Sequence, residues 1–255
     1  MPNLMGKNDS EVYKTINGFQ FSGVEIDELE ASEYTLATIL VDETGSVDGF
    51  EAELEKCIRT TVDACKKSPR SENLLMRVGK FGSHITNSIE EIHGFNILSN
   101  LDTKDYKGTI RPNGMTPLLD ATLDSIETME AQAKILVDQD YLCNGICFVM
   151  TDGGENSSRK ASYKKINEAF KRIRKNEELE SIKAILIGVN DTDCKDELDE
   201  FKDKCGFDEY ISMGDVSPGK LAKLAAWVSQ SVSSTSQAIG SGGPSQPIQP
   251  PSFSF

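Results

Sequence analysis

The sequence has no apolar run near the ~20 residues that a membrane-spanning helix requires, and residues 1–11 (MPNLMGKNDSE) lack the apolar stretch of a secretory signal. Basic side chains are outnumbered: 27 Lys and Arg stand against 41 Asp and Glu, a formal net charge of −14 that repels a phosphate backbone. That balance argues against general nucleic-acid binding. Histidine is scarce. His84 and His93 stand alone, neither near a G-x-S-x-G elbow, which removes the usual base for nucleophilic hydrolysis. Neither GxGxxG nor GxxxxGK[ST] occurs in the folded region, so no nucleotide fingerprint is present. The 6 cysteines form no CxxC pair and are too sparse for a stapled scaffold. They are expected as reduced thiols, with Cys143 and Cys147 packed in the core. A soluble, cytoplasmic protein is the expectation these absences leave.

What is present is a rhythm. From residue 34 onward, β-branched apolar runs end in Asp or Gly, and an amphipathic stretch follows each. The clearest strands are 34–41 (YTLATILV), 74–81 (LLMRVGKF), 143–150 (CNGICFVM) and 182–189 (IKAILIGV). Helices are expected at 49–66, 117–137, 162–175, 194–205 and 218–232, with Pro117 placed in a first turn and Ser217-Pro218 supplying a cap and a first turn. Residues 84–100 read as an extended, partly antiparallel excursion, and 208–212 (DEYIS) as a short edge strand. The class is α/β: a doubly wound, mostly parallel central sheet flanked by helices, with one short antiparallel edge strand.

The ends differ from this body. Residues 1–33 form an N-terminal extension whose FQFSGVEIDEL segment could add a hairpin or pack across a sheet edge. Residues 34–232 are the expected domain. Beyond residue 224 no side chain is charged, and 233–255 turns to Ser, Gly, Gln and Pro, a composition that predicts a flexible tail ending in PPSFSF.

Oxygen donors gather at three places. The first strand ends in Asp42-Glu43-Thr44-Gly45-Ser46, which puts a carboxylate and two hydroxyls on one strand-to-helix loop. Thr116 lies just before the Pro117 helix, at a loop apex. Asp152 follows the apolar strand that ends at Met150. Open α/β sheets bind ligands at the carboxyl ends of their strands. Hard oxygens suit Mg²⁺ or Mn²⁺ better than Zn²⁺. If the strands of Asp42 and Asp152 are neighbours, Asp42, Thr44, Ser46, Thr116 and Asp152 can surround one cation.

At this point the sequence resembles a von Willebrand factor A domain of the intracellular bacterial or phage kind, over residues 34–232. The metal-ion-dependent adhesion site of that family has the pattern D-x-S-x-S, then a Thr, then an Asp. Asp42, Ser46, Thr116 and Asp152 match by residue type; Thr44 stands where the family usually has Ser and keeps the hydroxyl. The resemblance implies that the first-loop hydroxyls touch the metal directly, that the carboxylates often act through water, and that one coordination position is left for a partner protein's Asp or Glu. It implies a non-enzymatic, metal-dependent protein-binding module.

Two alternatives compete with it. One is a scaffold or assembly subunit acting through its C-terminal tail. The other is a haloacid-dehalogenase-like Mg²⁺-dependent phosphotransferase, which needs a second acid two residues after its nucleophile; here that position is Thr44. A basic segment, Arg159 to Lys175, reads as a solvated helix face, with an acidic protein partner or a nucleic-acid contact as its other use.

Overall fold

The chain folds as the rhythm of its sequence demands. A computed structural model describes residues 11–15, 18–24, 29–176, 179–214 and 217–241. In chain order the strands are β1 (Glu11–Lys14), β2 (Gln20–Gly23), β3 (Glu33–Asp42), β4 (Leu74–Phe81), β5 (Ile89–Ile97), β6 (Leu142–Thr151), β7 (Ser181–Gly188) and β8 (Glu209–Ser212). The helices are α1 (Glu51–Lys66), α2 (Leu118–Val137), α3 (Tyr163–Lys175), α4 (Lys195–Cys205) and α5 (Pro218–Ser241).

Six strands form one sheet in the order β5-β4-β3-β6-β7-β8. Neighbours pair parallel from β4 through β8, while β5 joins β4 antiparallel. The antiparallel edge strand is thus the 9-residue β5, within the 84–100 excursion. The short edge strand β8 lies at the opposite edge and runs parallel to β7. An αβ crossover through α4 delivers it in that direction.

Central strands are buried on both faces. Along β3, Tyr34, Leu36 and Leu40 join an apolar cluster with α2, α3 and α4, while Ala37, Ile39 and Val41 join another with α1 and α5. This period of two reads directly from YTLATILV. Both faces carry apolar residues, as a doubly wound sheet requires.

Helix starts follow local chemistry. Ser162 accepts a hydrogen bond from Lys165 N at the head of α3, and Ser217 accepts one from Lys220 N at the head of α5. Pro117 stands one position earlier than expected, capping α2 rather than opening it. None of the six cysteines is in a disulfide, and Cys143 and Cys147 are buried.

The ends extend beyond their expected forms. β1 and β2 make an antiparallel hairpin that packs on β5, where Ser22 N donates to Glu91 Oε2 at 2.9 Å, and Phe19 and Phe21 enter the core. The expected tail boundary at residue 233 falls inside α5, which continues to Ser241. Small hydroxyl residues permit this: Thr235 and Ser236 are buried, Asn144 Nδ2 donates to Thr235 O at 3.2 Å, and Arg70 Nε donates to Ser236 Oγ at 3.0 Å. Residues 1–10 and 242–255, including PPSFSF, lie outside the described residues.

Candidate metal centre

The strand order reverses about β3: α1 leads to β4 on one side, and α2 leads to β6 on the other. Such a switch point opens a crevice at the carboxyl ends of the two strands. β3 and β6 pair in a register that sets Val41 opposite Met150, so Asp42 and Asp152 emerge side by side on one rim.

Around that rim the hydroxyls form a chain. Thr116 Oγ1 donates to Thr44 Oγ1 at 3.4 Å, Thr44 Oγ1 and Ser46 Oγ lie 3.0 Å apart, and Ser46 Oγ donates to Asp152 Oδ1 at 2.7 Å. Asp42 stands behind them, its Oδ1 accepting from Thr44 N at 2.8 Å and its Oδ2 from Thr151 Oγ1 at 2.6 Å. The structure therefore brings together all five side chains singled out in the sequence. Asp42, Thr44, Thr116 and Asp152 are buried, whereas Ser46 is exposed at the mouth.

Three loops are fastened to one another by groups that sequence reasoning did not single out. Gly45 N donates to Gly114 O at 3.1 Å, and Gly114 adopts a φ of 77°, a left-handed conformation suited to glycine. Asn156 Oδ1 accepts from Thr116 N at 2.7 Å, and Asn156 N donates back to Thr116 O at 3.1 Å. Glu155 and Ser158 cap α2 from outside it, accepting from Leu119 N at 2.7 Å and Asp120 N at 3.0 Å. In return, the Asp120 carboxylate accepts from the backbone N–H groups of Arg159, Lys160 and Ala161. The loop after β6 and the N-terminus of α2 are thus one rigid piece. Only the acidic and amide residue types of this loop hint at it; the pairing itself depends on the fold.

Glu43 is a second residue that the motif reading passed over. It is fully buried between Asp42 and Thr44, pairs with Lys80 Nζ at 3.1 Å and His84 Nε2 at 3.0 Å, and accepts from Arg111 N at 3.1 Å. This network anchors the base of the first loop. His93 sits on β5 and bonds the Tyr106 hydroxyl at 2.7 Å. Neither histidine addresses a nucleophile.

Burial, reinforced by the charge of Asp152, pushes the Asp42 carboxyl up to about 7, although the Thr151 and Thr44 bonds pull the other way. Burial also raises Asp152, against the Ser46 hydrogen bond. Neither carboxylate has an ion-pair partner among the described residues. Two buried, uncompensated carboxylates facing three hydroxyl oxygens fit a hard divalent cation, which supplies the missing positive charge. No group of three or more His, Cys, Asp or Glu among the described residues is placed to hold a metal, so a cation here must rely on hydroxyl donors.

The basic segment divides. Arg172 pairs with Glu130 through two bonds of 2.7 and 2.5 Å, and Arg174 pairs with Asp208 at 2.9 Å. Lys160, Lys164, Lys165 and Lys171 remain exposed. No helix among the described residues is long and apolar enough to cross a membrane.

No protein-family model matches the sequence, and no curated protein sequence does. Solved structures are similar in fold. Proximal thread matrix protein 1 from the mussel byssus superposes with a TM-score of 0.57 at 15% identity, covering 80% of this chain and 49% of that one. The pilus adhesin SpaC from Lactobacillus rhamnosus GG, in an open conformation, gives 0.57 at 7% identity, covering 91% of this chain and 36% of that one. A form of the mussel protein with a zinc-occupied MIDAS motif gives 0.51 at 15% identity, covering 79% and 46%. The chain therefore spans half or less of the length of each of these proteins. Sheet order, helix placement and these superpositions agree: the chain has the fold of a von Willebrand factor A domain.

Proposed function

We propose that this chain is a non-enzymatic, metal-dependent protein-binding module of the cytoplasm. Asp42, Thr44, Ser46, Thr116 and Asp152 would hold one Mg²⁺ or Mn²⁺, and the open side of the site would receive an Asp or Glu of a partner protein. The observation that carries this reading is the continuous hydroxyl chain from Thr116 to Asp152, backed by two carboxylates with no ion-pair partner.

When bound, the cation supplies residual positive charge for an incoming carboxylate, because its nearest protein donors are mostly neutral oxygens. The chain's own residues do the rest. Ser46 presents its hydroxyl at the mouth, Thr44 and Thr116 line the floor, and Asp42 is held in place by Thr151. The zinc-occupied motif named for the mussel protein supports a divalent ion on this fold, while the all-oxygen donor set here favours Mg²⁺ or Mn²⁺. Six cysteines outside any disulfide support a reducing compartment.

The test is affinity capture with the full chain, in Mg²⁺ and in EDTA, followed by identification of the eluted protein. The reading requires a partner retained by Mg²⁺, released by EDTA and lost when its docking Asp or Glu is replaced by Ala. Retention that ignores EDTA and the Asp152→Ala variant contradicts it.

A further inference from the structure

Met115 is 53% exposed, a large apolar side chain left open to solvent at the mouth of the metal centre. Its backbone is pinned in both directions. Met115 N donates to Ser83 Oγ at 2.8 Å, and Ser83 N donates to Met115 O at 2.9 Å. On either side of it, Gly114 O accepts from Gly45 N and Thr116 Oγ1 reaches Thr44. An apolar side chain held beside a charged centre presents a fixed contact surface, and methionine is enriched in protein interfaces. Glycine at position 153 keeps the approach clear: a side-chain carbon there would lie 3.7 Å from Thr116 Oγ1 and 4.0 Å from Ser46 Oγ.

Charge around this mouth is divided. The loop after β4 and the loop after β7 leave the sheet on opposite sides of the β3–β6 pair. The first of these loops carries Ser83 and ends near Asn87, whose Oδ1 accepts from Lys160 Nζ at 3.4 Å. Arg159 and Lys160 are exposed on that flank, and Asp120 and Glu155 there are engaged by backbone N–H groups. On the other flank, exposed Asp193, Asp196 and Glu197 outnumber Lys195, and the Glu197 carboxylate packs over Gly154, where a side-chain carbon would collide with it. An acidic segment is therefore drawn towards Arg159 and Lys160 and repelled from the head of α4. Lys160 follows Asn156, which is bonded to Thr116, by four residues, so its backbone lies within about 14 Å of that anchor. About five extended residues cover this span.

We propose that the partner's metal-seeking acid belongs to an acidic segment, with an apolar side chain beside that acid resting on Met115 and a second Asp or Glu, about five residues away, paired with Arg159 and Lys160. This rests on the docking function proposed above and adds the sequence that the docking face selects. Met115 discriminates among acids by what stands next to them, and the two cations set the direction in which the segment lies.

Selection of a displayed random peptide library on the full chain in Mn²⁺, with elution by EDTA, tests the assignment. Eluted peptides should place an Asp or Glu next to a large apolar residue and carry a further acid about five residues away. By calorimetry, a synthetic peptide of the selected sequence should bind Met115→Ser about tenfold more weakly than the parent, the loss from leaving one apolar side chain in water. Met115→Ser should bind Mn²⁺ as the parent does, which checks that the site is intact. The double variant Arg159→Glu, Lys160→Glu should also lose about tenfold, less in high salt, and should prefer a peptide with Lys in place of its second acid. EDTA-eluted peptides with a lone acid and no preferred neighbours, or one peptide binding all three proteins equally, would overturn this proposal and leave the docking function standing. Failure of EDTA to elute any peptide from a chain that binds Mn²⁺ would overturn both.

Discussion

Thr151 Oγ1 donates to Asp42 Oδ2 at 2.6 Å, joining the last residue of β6 to the last residue of β3. The bond fixes one oxygen of a carboxylate whose other oxygen is held by Thr44 N. Groups that orient a metal ligand in this way typically matter by 10–100-fold in affinity. Thr151→Val, which keeps the shape and removes the hydroxyl, should therefore weaken Mn²⁺ binding by about 10–100-fold. Calorimetry reads the affinity, and an unchanged far-ultraviolet spectrum checks the fold. An affinity equal to that of the parent would mean that Asp42 needs no such support.

Glu43 should matter for stability more than for partner contact, because it is buried against Lys80 and His84. Removing it leaves Lys80 with only the exposed Glu90 at 3.2 Å and Thr109 O at 3.1 Å, and Arg111 N without its acceptor. Glu43→Ala should lower unfolding free energy by about 2–3 kcal/mol in urea titrations. A loss below about 1 kcal/mol would place Lys80 in water rather than against Glu43.

His93 sets an acid limit. Burial lowers its imidazole from 6.5 to about 4, and Arg77 pushes it the same way, while the bond to Gly94 O opposes them. Between those two values the unfolded chain takes up more protons than the folded one, so His93 costs stability as pH falls through that window. The contribution is fully present above 6.5 and has gone below about 4. Asp124, raised to about 7, acts in the opposite sense in parent and variant alike. Because Asp42, also raised to about 7, adds to Asp124, lowering the pH from the top to the bottom of the window should move the urea midpoint of His93→Gln upward relative to that of the parent. Equal slopes would show that His93 is solvated.

Truncation after Val232 tests the length of α5. It removes Thr235 O, the acceptor for Asn144 Nδ2, and Ser236 Oγ, the acceptor for Arg70 Nε. Leaving the buried Asn144 amide without its partner should cost about 1–3 kcal/mol. A truncated protein as stable as the full chain would make the helix end dispensable.

The sequence was most informative where burial is two-sided. YTLATILV and CNGICFVM are mostly apolar runs, and they became β3 and β6, the neighbours that carry Asp42 and Asp152. The three oxygen-bearing motifs were visible because each follows a strand or precedes a helix. β5 (IEEIHGFNI) was only an excursion, since its polar and apolar residues alternate poorly at an edge. The hairpin stayed open because β1 and β2 are four residues each and pack on β5, which lies far along the chain. The end of α5 was hidden by its composition: VSSTSQ reads as linker until a neighbouring helix and sheet bury its hydroxyls. Least legible were Glu155, Asn156 and Asp120, whose bonds to backbone N–H groups exist only once loop and helix meet.

The central claim is that Asp42, Thr44, Ser46, Thr116 and Asp152 share one divalent cation. Titration of Mn²⁺ into the chelator-stripped full chain tests it most directly, alongside Asp42→Ala and Asp152→Ala. The account predicts one equivalent bound by the parent, displaced by Mg²⁺, and no measurable binding by either variant with both still folded. Binding of equal strength in all three proteins, or no binding by the parent at saturating Mn²⁺, would contradict it.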